Sequence, residues 1–119
     1  MGYCEALKAA GAKVEFYEEV GSYQGDWYAF VEYEGRRGLV HSSYGSCSGC
    51  DAYQDAFSWF AEEEPNYQER LAEFGRGYLG HILTRAEAEK LVEDAWESDR
   101  DEVKRVLDEI APLWVSSAE

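Results

Sequence analysis

Trp27-Tyr28-Ala29-Phe30-Val31-Glu32-Tyr33-Glu34-Gly35-Arg36-Arg37-Gly38-Leu39-Val40-His41 is the stretch on which the fold turns. Trp27 to Val31 are apolar without a break, and only after them does polar alternate with apolar. A strand that is apolar on both sides at its start reads as the central strand of a sheet. Gly35-Arg36-Arg37-Gly38 reads as a hairpin turn, and Leu39-Val40-His41 as the strand that returns beside it. Upstream, Val14, Phe16 and Val20 alternate with Lys13, Glu15 and Glu19, the period of a half-buried strand. The loop Gly21-Ser22-Tyr23-Gln24-Gly25-Asp26 joins it to the central strand. The expected sheet is an antiparallel three-stranded meander over about 13–42. A short helix near Tyr3–Ala10 precedes it, with Gly11 as its left-handed stop.

Beyond Asp51 the period changes to that of helices. Tyr53, Ala56, Phe57 and Phe60 form one stripe and Pro65 ends it. Asn66 and Glu69 have the spacing of a capping box before Tyr67, Leu71, Phe74 and Tyr78, after which Gly75, Gly77 and Gly80 are expected to break the helix. Thr84-Arg85-Ala86-Glu87 is a second capping box, leading into Ala88, Leu91, Val92, Ala95 and Trp96. Ser98 or Asp99 caps a last helix through Val103, Val106, Leu107 and Ile110, with Pro112 as its expected end. The expectation is an α+β fold in a single domain spanning 1–119. About four helices from residue 51 onward cover one face of the sheet, beside the short N-terminal helix.

A chain of 119 residues with 45% apolar content can bury about two thirds of its unfolded surface, so neither disulfide nor metal is needed merely to fold. No apolar run reaches the ~20 residues that span a bilayer, and the N-terminus lacks the pattern of a signal peptide. With three cysteines, an odd number, the expected setting is a reducing cytoplasm. The net charge of −14 exceeds the roughly 2–8 usual for a small domain. Such a field opposes direct contact with nucleic acid or an anionic membrane and favours a protein partner with a basic surface.

The most particular local motif is Ser42-Ser43-Tyr44-Gly45-Ser46-Cys47-Ser48-Gly49-Cys50-Asp51. Cys47 and Cys50 with His41 have spacing compatible with zinc, completed by Cys4 or His81, but a second close pair of ligands is missing. A redox dithiol is a further reading, weakened because the strands form a meander and not a βαβ unit. A sharp turn built from small residues explains the same pattern without chemistry. Phosphate binding at the following helix start has no basic support, since no lysine or arginine lies between Gly38 and Arg70. No nucleophile–base constellation accompanies these residues, so no reaction is indicated and the expectation is a non-enzymatic protein with no required cofactor.

Glu62, Glu63 and Glu64 stand near a helix C-terminus, where each acid costs roughly 0.3–1 kcal/mol against the helix dipole. Stability therefore does not explain them. With Asp51 and Asp55 they make one acidic segment, and Glu87–Glu109 makes another that includes Glu93, Asp94 and Glu97. Both are expected to be partner-binding, as acidic helices that enter a nucleic-acid groove on a basic protein.

Gly21-Ser22-Tyr23-Gln24-Gly25-Asp26-Trp27 together with Tyr44-Gly45-Ser46-Cys47-Ser48-Gly49-Cys50-Asp51 resembles small uncharacterised proteins of bacteriophages and their bacterial hosts. The resemblance covers about residues 14–60. It implies no catalytic residues, and it implies a setting in the bacterial cytoplasm during phage infection. By analogy of size and charge, such proteins are similar to anti-defence inhibitors, anti-CRISPR and anti-restriction proteins among them. A small zinc or redox protein using the Cys47/Cys50 loop is the alternative, and a phage assembly protein using the aromatic residues around Tyr23–Tyr28 is another.

Overall fold

The computed structural model describes residues 2–21, 25–45, 51–53, 57, 63–95 and 100–116, with side chains to 114. Three strands, β1 (Lys13–Gly21), β2 (Gly25–Tyr33) and β3 (Arg36–Tyr44), lie in the order β1-β2-β3 with both neighbouring pairs antiparallel. The α+β class and the meander are as the alternation indicates, and β2 is central. Phe30 pairs with Phe16 on one side and Leu39 on the other, and Tyr28 with Glu18 and His41. The β1–β2 register shifts between Val14 and Phe16, where Glu15 is the extra residue of a bulge.

The β2–β3 turn is tighter than the sequence suggested. Glu34 and Gly35 form it, at φ 51° and 79°, the left-handed pair that matches strand twist in a two-residue hairpin. Arg36, Arg37 and Gly38 belong to β3. A glycine at the second position made the two-residue solution cheaper than a four-residue loop.

Helices α1 (Tyr3–Ala9) and α2 (Tyr67–Leu79) cover one face of the sheet, packing Tyr3, Leu7 and Leu79 on Trp27, Ala29, Val31 and Val40. Helices α3 (Arg85–Asp94) and α4 (Arg100–Ser116) cover the other, setting Ala88, Val103, Val106 and Ile110 on Tyr28, Phe30 and Leu39. The expectation of helices on one face is thus corrected. Trp27 to Val31 are all buried, and a strand apolar on both sides needs a layer on each.

Two helix ends and one cap also differ from expectation. Helix α2 runs through Gly75 and Gly77 and stops only at Gly80. Gly75 is there for proximity and not for breakage, since a Cβ at this position would collide with the Ala6 carbonyl oxygen of α1. Asn66 makes no capping bond with its side chain. Helix α4 continues through Pro112, although its ring removes one backbone bond and crowds the preceding turn, and Leu113 and Trp114 contact the core beyond it. By contrast the Thr84 box forms as its spacing indicates: Glu87 N–H donates to Thr84 Oγ1 at 3.3 Å and Thr84 N–H to Glu87 Oε1 at 3.0 Å. The α1 stop at Gly11, φ 101°, likewise agrees.

Two polar clamps fix the layers. Arg37 donates to both Glu15 carboxylate oxygens at 2.7 and 2.8 Å, lies over the Phe30 ring at 4.9 Å, and donates to the Leu113 carbonyl. Leu39 and Leu83 exchange backbone bonds of 3.1 and 2.8 Å, tying the segment before α3 to β3.

The two glycines of α2 provide a paired test. Gly75→Ala is expected to destabilise by about 1–3 kcal/mol, as overpacking does. Gly77→Ala, where the added methyl enters open space, should stabilise by about 0.5–1 kcal/mol through helix propensity. Urea unfolding of the two variants checks the signs; equal effects would contradict the close α1–α2 approach.

Candidate partner surface and buried polar network

Asp51 does not lie on an acidic face. It is 2% exposed, accepting from the Tyr3 hydroxyl at 2.6 Å and from the Gly45 N–H at 3.0 Å. The Tyr3 hydroxyl in turn accepts from Tyr53 N–H at 3.3 Å. Asp51 therefore joins α1 to the end of β3, and its expected partner-binding role is corrected: a carboxylate closed in by two donors on the protein cannot meet a partner. Burial, reinforced by the bond to Asp51, pushes the Tyr3 hydroxyl above its ordinary pKa. Tyr3 also stacks on Trp27 at 5.1 Å, whose buried Nε1 has no acceptor among the described residues.

Asp55, Glu62, Glu97, Cys47 and Cys50 lie outside the described residues. Glu63 and Glu64 are exposed, but Glu64 is engaged by Arg70 at 2.8 Å, and the Arg70 guanidinium lies 5.1 Å over Phe57. Glu93 and Asp94 are exposed at the end of α3 and carry no ion pair among the described residues. Glu63 and Glu64 precede α2 on one face of the sheet, and Glu93 and Asp94 end α3 on the other. Among the described residues, the acids of the two segments do not form one strip.

His41 is taken up by the sheet. Its ring stacks on cross-strand Tyr28 at 4.6 Å with an interplanar angle of 17°, and Nε2 stands 3.5 Å from Asp26 Oδ1. Burial pushes the imidazole below its ordinary pKa, with Asp26 opposing. Cys4 sits in α1 over the opposite face, so these two expected zinc ligands are separated by the sheet. No cluster of three metal-ligating side chains occurs among the described residues.

The electrostatic pattern is clearest around α3 and α4. Arg85 pairs with Glu89 at 3.4 Å, while Arg105 donates to Glu109 at 2.8 Å and to both carboxylate oxygens of Glu18 on β1. Arg37 is bound to Glu15, whose carboxyl it holds below the usual range. Arg37, Arg85 and Arg105 thus spend their charge within the protein. Asp101, Glu102 and Asp108 join Glu93 and Asp94 as exposed acids with no ion pair among the described residues, interspersed with Lys90, Arg100 and Lys104.

No protein-family model, curated protein or solved structure matches the chain.

Between α3 and α4 lies a groove of about 200 Å³ with a floor of Ala88, Leu107, Ala111 and Trp114. Sequence reasoning missed it by taking Pro112 as the helix end, which placed Trp114 in a tail. The 107, 111, 114 spacing is the helical signal that could have found it.

Two measurements test the polar groups. Asp51→Ala leaves the Tyr3 hydroxyl and Gly45 N–H without their acceptor and should cost about 2–4 kcal/mol, whereas Asp51→Asn keeps an acceptor oxygen and should cost less. Thermal melts distinguish them. For His41 the folded pKa lies below the unfolded value near 6.5, so its contribution is fully present above that pH and is lost as pH falls through the folded pKa. His41→Phe keeps a ring on Tyr28 and should flatten the fall of melting temperature below about pH 6.5. An unchanged slope would place the titration elsewhere.

Proposed function

We propose that the protein is a non-enzymatic binder of a basic surface on a bacterial nucleic-acid-handling protein, acting as an inhibitor in the manner of small acidic anti-defence proteins of phages. The observation that carries this reading is the set of exposed acids without ion pairs among the described residues, Glu93, Asp94, Asp101, Glu102 and Asp108, on helices where Arg85 and Arg105 are paired within the protein. An outward-facing acid excess contributes little to folding and a great deal to steering toward a cationic partner. The resemblance of the Gly21–Trp27 and Tyr44–Asp51 segments to phage proteins supports the setting. No described helix is long and apolar enough to cross a membrane.

The interface is narrower than the sequence indicated. Asp51 is enclosed and Glu64 is engaged, so α3 and the first half of α4 carry the proposal.

A variant with Glu93→Gln, Asp94→Asn, Asp101→Asn and Glu102→Gln loses four charges at little change in volume. Its melting temperature should match the parent within a few degrees, since exposed charges far from partners contribute little. Bacterial nucleic-acid-binding proteins captured by the parent should be depleted from the variant's captures, and released by duplex DNA or by salt that shortens the Debye length from about 10 to 3 Å. Capture indifferent to substitution, salt and DNA would refute the reading.

A further inference from the structure

We propose that the groove between α3 and α4 is a receptor for one arginine side chain of the basic partner. The inference rests on the acidic-surface function above and names the contact through which it acts.

The floor suits the stem and the plane of such a side chain. Ala88 and Ala111 leave room where Leu107 and Trp114 supply apolar surface, in a hollow of about 200 Å³. A guanidinium is weakly hydrated and planar, and it stacks on an indole, whereas an ammonium is compact and holds its water. Trp114 is seated from below, edge to face with Phe30 at 4.8 Å and 87°, so the groove wall is anchored in the core.

The rim supplies a carboxylate from each helix, Glu89 from α3 and Asp108 from α4. Asp108 is exposed and has no ion pair among the described residues. Among the described residues Glu89 is held by Arg85 alone, at 3.4 Å, between side chains 54% and 64% exposed. A pair that open is readily adjusted, and it uses one carboxylate oxygen, so Glu89 can keep Arg85 on Oε1 and offer the other oxygen to an incoming guanidinium. Two cations also stand on the rim, Arg85 and Lys104. Arg85 is already matched by Glu89, and Lys104 precedes Asp108 by one turn, the less favourable order for a helical pair. Local charge therefore balances, and the surroundings decide the sign of the occupant. Glu93, Asp94, Asp101 and Glu102 on the same two helices, within a chain of net charge −14, draw a cation in and hold an anion off.

Titration of the isotope-labelled protein with the peptide acetyl-Gly-Arg-Gly-amide, followed by NMR, tests the proposal. Expected are saturable shifts at the Trp114 indole and at the amides of Leu107, Asp108 and Ala111, weaker binding of the lysine peptide, and no response to the citrulline peptide. Asp108→Asn should weaken the arginine peptide about three- to five-fold, the scale of one exposed ion pair. No groove shifts, unchanged affinity in Asp108→Asn, or saturation by benzoate in place of the peptide would each overturn the proposal. Polylysine separates this failure from that of the function. Salt-sensitive shifts at Glu93, Asp94, Asp101 and Glu102 without groove response leave the acidic surface standing and remove the arginine receptor; no polycation response anywhere removes both.

Discussion

The burial of β2 on both faces is the constraint from which the rest of the structure follows. Five consecutive side chains, Trp27 to Val31, are removed from water, and each large one is worth roughly 1.5–3 kcal/mol only if something covers it. Trp27, Ala29 and Val31 require α1 and α2; Tyr28 and Phe30 require α3 and α4. The helices answer this demand, and within one layer α1 and α2 also pack closely on each other, as the approach of Gly75 to Ala6 shows. Links distant in sequence then hold each layer in register: Tyr3 to Asp51, Arg37 to Leu113 and Arg105 to Glu18.

Polar groups divide according to the same geometry. Those at the seams between layers are turned inward and matched, as with Asp51 under α1, and Glu15 under Arg37. Those on the outer sides of α3 and α4 have no layer beyond them, and there acids outnumber bases. An inward arginine and an outward acid are two results of one arrangement. It leaves the outer surface of these helices with an excess of acids. The charge presented outward belongs to short, packed helices, so it is held in position by the core beneath it.

Much of the fold was legible in the sequence because period and capping are local signals. The alternation of Val14, Phe16 and Val20, the unbroken run at Trp27, the stop at Gly11 and the Thr84–Glu87 box all declare themselves within a few residues. What failed was non-local. Gly75 reads as a breaker unless Ala6 is known to press on it, and Pro112 reads as a terminator unless Leu113 and Trp114 are known to reach the core. The site suffered most from this. Asp51 has the polarity of a surface residue and the position of a core one, and only the arrival of Tyr3, 48 residues away, explains the difference. Glu93 and Asp94, by contrast, were legible as exposed acids because nothing distant among the described residues pairs with them.

The exchange of backbone bonds between Leu39 and Leu83 has a bearing on how the sheet meets other chains. A three-stranded meander ends in two edges, each a template for another strand and hence for aggregation. On β3 the Leu83 bridge occupies the edge at Leu39, in the middle of the strand, so an incoming chain finds no long continuous ladder. On β1 the bulge at Glu15 distorts the ladder, and Lys13, Glu15, Glu18 and Glu19 line it with charge. A borrowed residue closes one edge and an extra residue spoils the other, so neither edge of this small sheet offers a long regular ladder.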